Sequence, residues 1–376
     1  MSSLIIVVLV LNLLHILFST VSVRSDQSVL PIRSFKVREN ATYDCVDINN
    51  QPGLGHRLLQ NHTIQMKPSV SIHELRNHID NNKSYSSEIG CPDGTVPILR
   101  ISNEYNTKAQ LFSEKYFHPL TVDNPGAHIV GIRSSTGPYR GVEASYNGYT
   151  QYIEKDQASY SEIYIGSWLN NQVNYIQAGY IINPSFFGTG QLWTYGYFKG
   201  KDGKGCYNTA CDGFIQVSRK IPIVQPININ PGDSDWSRWS IHQDKATGNW
   251  WLTQLIENAP NVDIGYWPKE LFNILNNGAN IVGVGGVVQA SHNGSSPPMG
   301  NGNFPVGSHK NSAMFTNIEV LDYNYISHKM NYFPTEILVD SPQCYDIRIG
   351  KVKLFHSKRL GFFFNYGGPG GKFCGV

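Results

Sequence analysis

The chain is short of charge: Asp, Glu, Lys and Arg make up only 15% of its 376 residues and leave a formal net charge of +2. No basic cluster breaks that balance, so the electrostatic footprint of a nucleic-acid binder is missing. Long apolar runs are equally scarce. Past the first 25 residues none approaches the roughly 20 needed to cross a bilayer, which argues against a membrane partner. His-Glu-x-x-His, Gly-x-Ser-x-Gly and a phosphate loop are absent, and the twelve histidines are scattered. Cys206 and Cys211 have no second Cys/His couple at zinc-ligand spacing. The common metallohydrolase, serine-hydrolase and nucleotide-binding classes are thereby set aside, and neither a metal nor a cofactor is expected.

What is present points to a secreted protein. Leu4 to Phe18 is apolar but for Asn12 and His15, and small residues (Ser19, Ser22, Ser25) follow. That is the pattern of a cleaved signal peptide, so residues 1–25 are expected to be removed and the remainder exported to the extracellular space or cell wall. In an oxidising compartment six cysteines should pair. Their order suggests Cys45–Cys91, Cys206–Cys211 and Cys344–Cys374, one scheme among the many that six thiols allow. Sequons mark Asn40, Asn61, Asn82 and Asn293 as glycosylation sites.

Aromatics at 12%, with 36 Gly and 20 Pro, favour short strands joined by turns. Residues 26–125 read as a small mixed segment, with a capping box at Ser71-Ile72-His73-Glu74 and a linker from Phe117 to Gly126. Residues 126–376 follow a period of two. In the run Tyr175 to Ile182, alternation puts Ile176, Ala178, Tyr180 and Ile182 on one face and Tyr175, Gln177, Gly179 and Ile181 on the other. Similar runs at Leu192–Phe198, Gly213–Val217, Trp250–Leu255, Ile281–Ala290 and Met314–Leu321 predict an all-β, antiparallel two-sheet sandwich. Only Pro268–Asn276 looks helical. Gly283-Val284-Gly285-Gly286 lacks a dinucleotide fingerprint's third glycine and is expected to mark close backbone packing or a bulge.

Several motifs resemble the plant neprosin family. In the first segment they are Cys45-Val46-Asp47-Ile48, Asn61-His62-Thr63-Ile64-Gln65-Met66 and Cys91-Pro92-Asp93-Gly94-Thr95-Val96-Pro97-Ile98. Downstream come Ile176-Gln177-Ala178-Gly179-Tyr180, Gly205-Cys206-Tyr207-Asn208, Gly213-Phe214-Ile215-Gln216, Thr247-Gly248-Asn249-Trp250-Trp251, Gly265-Tyr266-Trp267-Pro268, Cys344-Tyr345-Asp346-Ile347 and Tyr366-Gly367-Gly368-Pro369-Gly370. The resemblance implies a glutamic endopeptidase that cuts after proline, a two-sheet sandwich preceded by an inhibitory pro-segment that is itself a partner of the sandwich.

The family's catalytic glutamates stand in Ile-Glu-Ala-Gly-Trp and Glu-Trp-Gly-Gly-Glu. Here the first motif carries Gln177, and the second reads Gly283-Val284-Gly285-Gly286-Val287. An amide at 177 can still hold a water or an oxyanion, but glycine at 283 and valine at 287 accept no proton. The expectation is a protein lacking glutamic-peptidase activity that binds proline-rich peptide or glycan in an inherited groove. Gln177 would be exposed on its floor, and Tyr180, Trp250, Trp251, Tyr266 and Trp267 would supply flat surface. The alternative is an active proline-directed endopeptidase that joins Gln177 to another carboxylate. Glu162, Glu257 and Asp263 are the candidates, each more simply read as a solvated charge on a strand edge or loop.

Overall fold

The structure is a computed structural model that describes residues 31–70, 89–102, 105–109, 125–230, 232–257, 259–305, 311–350 and 360–374. The first described part builds a three-stranded antiparallel sheet from β1 (Arg33–Arg38), β2 (Ala41–Asp47) and β3 (Thr95–Leu99). The Cys45–Cys91 disulfide ties β2 to the approach of β3, with Cα atoms 5.6 Å apart.

Sixteen strands follow: β4 (Ala127–Ser134), β5 (Gly141–Tyr149), β6 (Ala158–Leu169), β7 (Gln172–Ile182), β8 (Trp193–Lys199), β9 (Gly205–Tyr207), β10 (Ile215–Gln216), β11 (Ser234–Gln243), β12 (Trp250–Gln254), β13 (Val262–Trp267), β14 (Ile281–Gln289), β15 (Ala313–Leu321), β16 (Ser327–Lys329), β17 (Glu336–Val339), β18 (Asp346–Ile349) and β19 (Phe364–Gly367). They form two antiparallel sheets. One runs β17-β4-β14-β6-β7-β8-β9; the other runs β10-β13-β12-β11-β5-β15-β19-β18, with β16 added beside β15. The sandwich expected from the alternation is the fold observed.

Each sheet turns one face to the other. From the seven-stranded sheet, Ile163, Ile165, Ile176, Ala178, Tyr180, Val282 and Val284 are buried. The Tyr180 hydroxyl donates to Asp235, and Ser161 and Tyr366 share a hydrogen bond of 2.6 Å across the layers. Burying such side chains supplies roughly 1.5–3 kcal/mol each and dominates the stability of the sandwich. The glycines of β14 are close-packing positions, as their sequence context suggested. A Cβ at Gly286 would stand 2.4 Å from the Tyr366 ring, and one at Gly283 would stand 2.2 Å from the Tyr164 ring.

The segment Pro268–Asn276 is not a helix. It makes a single 3-10 turn, Lys269–Leu271, and then a hydrogen-bonded turn. Asn174 Oδ1 accepts from the amides of both Asn273 (2.9 Å) and Ile274 (3.0 Å), taking donors that a helix would aim at its own carbonyls. The capping box at Ser71 and the sequon at Asn82 lie outside the described residues.

The N-terminal part docks on the sandwich through specific polar contacts. Gln51 exchanges two hydrogen bonds with the Gln216 backbone, and Tyr43 donates to the Val224 carbonyl at 2.8 Å. Gln65 Oε1 accepts from Thr247, Asn249 and Trp251, while the Gln65 amide donates to the Tyr266 hydroxyl at 2.8 Å. Leu59, Ile89, Leu99 and Ala109 are buried in the same hydrophobic cluster as the sandwich core.

Candidate active site

In an antiparallel pair, residues directly opposite share a face. The β6–β7–β8 register sets Gln177 between Tyr164 and Tyr197, and Gly179 between Glu162 and Tyr195. On the other side of β6, Glu162 stands opposite Gly285 and Tyr164 opposite Gly283. Glu162, Gln177 and Tyr195 therefore occupy the outer face of the seven-stranded sheet, together with Tyr160, Tyr164, Tyr175, Tyr197 and Tyr207. This parity follows directly from the alternation: Gln177 lies opposite in sense to the aliphatic Ile176 and Ala178.

At the centre is a chain of three groups. The Gln177 amide nitrogen donates to the Tyr195 hydroxyl at 3.0 Å, and that hydroxyl donates to Glu162 Oε2. Gly179 makes this possible. With no side chain on the middle strand, Tyr195 reaches across it to the carboxyl on the far side. Gly285 leaves the opposite flank of Glu162 equally bare, so the carboxyl is bounded by glycines on both neighbouring strands.

The outer oxygens, Glu162 Oε1 and Gln177 Oε1, are buried and accept no hydrogen bond from the described residues. A buried acceptor left unmade costs about 1–3 kcal/mol, and two pointing from one cluster call for a role. Glu162 is fully buried, and that burial, only partly offset by the Tyr195 hydrogen bond, pushes its carboxyl up to about 8. It is a neutral acid at neutral pH. Burial and the Glu162 charge push Tyr195 upward as well, so its phenol stays protonated.

Glu162 is thus no solvated charge on a strand edge, and its position corrects that expectation. The other two acids are elsewhere: Asp263 lies on β13 in the nine-stranded sheet, bonded to Thr253 at 2.8 Å, and Glu257 lies in the loop before it. Gly283 and Val287 do share the outer face with Glu162, and neither brings a carboxylate. Gln177 is on that face with tyrosines around it, but it is 1% exposed in the full chain, not open to solvent.

The proposed flat groove residues are placed elsewhere. Tyr180 has the opposite parity and points between the sheets. Trp250, Trp251, Tyr266 and Trp267 belong to β12 and β13 of the other sheet, where all four are buried and Trp251 and Tyr266 hold the N-terminal part through Gln65. The aromatic lining beside Gln177 comes instead from tyrosines of β6, β7, β8 and β9.

The sequence carried no local signal for Glu162: the odd positions of β6 mix Ser159, Ser161 and Ser167 with Ile163 and Ile165, so alternation does not single out the face on which Tyr160, Glu162 and Tyr164 stand. Cys206–Cys211 and Cys344–Cys374 are bonded as the spacing suggested, with Cα separations of 5.8 and 5.6 Å. Asn40, Asn61 and Asn293 are exposed, as a glycan would require.

The N-terminal part reaches this sheet at its β8–β9 end. Tyr105, from the N-terminal part, stacks on Phe186 with ring centroids 4.4 Å apart, and Phe187 stacks on Trp193 of β8 at 4.4 Å. Asn208, held at φ +55° in the Cys206–Cys211 loop, accepts from the Gly196 amide and donates to the Tyr105 hydroxyl at 3.3 Å.

Compared with known proteins, residues 155–369 match the family described as Neprosin and residues 34–121 match the neprosin activation peptide. Among solved structures, the chain is similar to scytalido-glutamic peptidase with a peptide-based transition-state analogue, at 11% identity and a TM-score of 0.36, over 65% of this chain and 98% of that one. It is also similar to SCP-B, a member of the eqolisin family of peptidases in complex with the tripeptide Ala-Ile-His. There the identity is 12% and the TM-score 0.34, with coverage of 65% and 98%.

Proposed function

The chain belongs to the neprosin family, and on that premise we propose that it is a latent peptide hydrolase of the glutamic type, with Glu162 as its proton-transferring carboxyl and Gln177 as its oxyanion-holding amide. The observation that carries this reading is the hydroxyl of Tyr195, which joins the Glu162 carboxyl to the Gln177 amide on the outer face. Positions 283 and 287 supply no acid, and Glu162 supplies it from the adjoining strand.

The chemistry is balanced with these groups alone. Ionised Glu162 takes a proton from water as the water oxygen bonds to the peptide carbonyl carbon. The oxyanion that forms is met by N–H of Gln177 and O–H of Tyr195. Glu162 then returns its proton to the departing nitrogen, the C–N bond breaks, and acid and amine leave. The first step needs a carboxylate, and in the full chain burial holds Glu162 neutral. Latency is built into the covered state: removing the N-terminal part admits water, lowers the carboxyl toward its ordinary range and frees both outer oxygens. A proline-containing substrate, the class implied by the family resemblance, suits a tyrosine-lined floor, since flat rings pack against pyrrolidine.

The test is to insert a specific protease site at residue 125, cut the full-length protein in place, and assay proline-containing peptides from acidic to neutral pH. Cleavage after proline is expected, falling about 10²–10⁴-fold in Glu162→Gln and about 10²–10³-fold in Gln177→Ala. A second reading is favoured by the tyrosines crowding one face without a glutamate at 283 or 287: a peptide-binding protein without catalysis. Peptide that binds the cut protein uncleaved, with affinity unchanged in Glu162→Gln, selects it.

A further inference from the structure

A cavity of about 390 Å³ lies away from the outer face of the active site, lined by Arg140, Lys245, Asn276, Tyr323, Asn324 and Tyr325, with Gln243, Asp244 and Gly248 completing its wall. Tyr325 closes the β15–β16 turn at φ +68°, a left-handed conformation that a tyrosine adopts only at a cost. The turn is fixed around it, because Asp322 Oδ1 accepts from the amides of both Asn324 and Ile326. Holding Tyr325 there presents its ring to two cations: the Arg140 guanidinium carbon is 5.5 Å and the Lys245 ammonium 5.7 Å from its centroid.

Two like charges gathered on one ring repel each other unless an anion joins them. Among the described residues no carboxylate forms an ion pair with either cation. The one carboxylate in the wall, Asp244, is committed: Oδ1 accepts from Ala246 and from both the amide and the hydroxyl of Thr247, and Oδ2 accepts from Ser69. The cavity keeps a net positive charge, with guanidinium N–H groups left over after Arg140 donates to Gln243 at 2.7 Å and to the Tyr323 carbonyl at 3.5 Å.

We propose that this cavity binds a carboxylated sugar, a uronate unit. Its carboxylate would bridge Arg140 and Lys245, its ring would lie on Tyr323, whose side chain is 60% exposed at the rim, and the amides of Asn276 and Asn324 would meet its hydroxyls. The volume stands at the low end of the ~300–1,000 Å³ typical of small-ligand sites, so it takes a saccharide unit and excludes a folded partner.

Calorimetric titration of the full chain with a short oligogalacturonate, its neutral galactose counterpart and a glutamate-rich peptide tests this. Binding of the oligogalacturonate is expected, weakening with salt and falling about tenfold or more in Lys245→Met and Arg140→Met, with the neutral sugar at least as much weaker. Lys245 is exposed, so its variant reports on the site even where Arg140→Met does not fold. Tyr325→Gly suits the left-handed turn and should fold normally while losing the ligand, and Glu162→Gln should bind as the wild type does. No binding at millimolar oligogalacturonate, equal binding of the neutral sugar, preference for the acidic peptide, or affinity unmoved by Lys245→Met and Tyr325→Gly each overturns the assignment.

Discussion

Tyr164 and Gly283 stand opposite each other, and a Cβ at 283 would meet the tyrosine ring carbon and oxygen at 2.2 Å. A glutamate cannot occupy position 283 while that ring lies over it. On the proposed reading the acid comes instead from Glu162, two residues from Tyr164 on the same strand. Placing a glutamate at 283, one of the two positions where the family resemblance would put one, should fail. Gly283→Glu is expected to cost roughly 1–3 kcal/mol through overpacking and, in a Glu162→Gln background, to recover no peptide cleavage. Urea unfolding and the cut-protein assay read the two effects, and recovered cleavage at unchanged stability would show that Tyr164 leaves room after all. Gln177 was legible from its motif. Glu162 was not, because no local pattern tells a charge inside a strand buried on both faces from a charge at its edge; only the β6–β7–β8 register brings it to Tyr195.

Elements were most legible where alternation was strict. The runs around β7, β8, β12, β14 and β15 were bounded within a residue or so at most ends, since a slip of one would exchange an entire inner face for an outer one. The segment at Pro268–Asn276 failed because Asn174, about 100 positions earlier in the chain, takes its amide donors, and no window on the sequence contains that contact. The docking of residues 62–69 was equally hidden. Gln65 fills one point with three donors converging on Oε1, at 2.8 Å from Thr247, 2.8 Å from Asn249 and 3.3 Å from Trp251. Gln65→Ala leaves the Asn249 and Trp251 donors without this acceptor, while the Thr247 hydroxyl keeps Asp244, at a cost of about 1–3 kcal/mol. Amide hydrogen exchange around residues 62–69 is expected to accelerate by tenfold or more while the sandwich strands keep their protection. Unchanged exchange would mean that apolar contacts alone hold the segment.

On the scale of the whole molecule, a two-layer sandwich ordinarily leaves its outer faces wet, yet here Glu162, Gln177 and the tyrosines about them are buried. The account makes the N-terminal part the cover and the buried, neutral Glu162 its consequence. A carboxyl raised from 4.5 to about 8 binds its proton more tightly in the folded, covered chain. Its contribution to stability is complete below the unfolded value and is lost as pH rises to about 8, by up to several kcal/mol. The most direct test is the titration of Glu162 itself, read by difference infrared spectroscopy as the protonated carboxyl band that disappears in Glu162→Gln. The account predicts a midpoint near 8 in the intact chain and a fall toward the ordinary carboxylate range once the chain is cut at residue 125 and the N-terminal part is removed. A midpoint near 4.5 in the intact chain, unchanged by that removal, would contradict it.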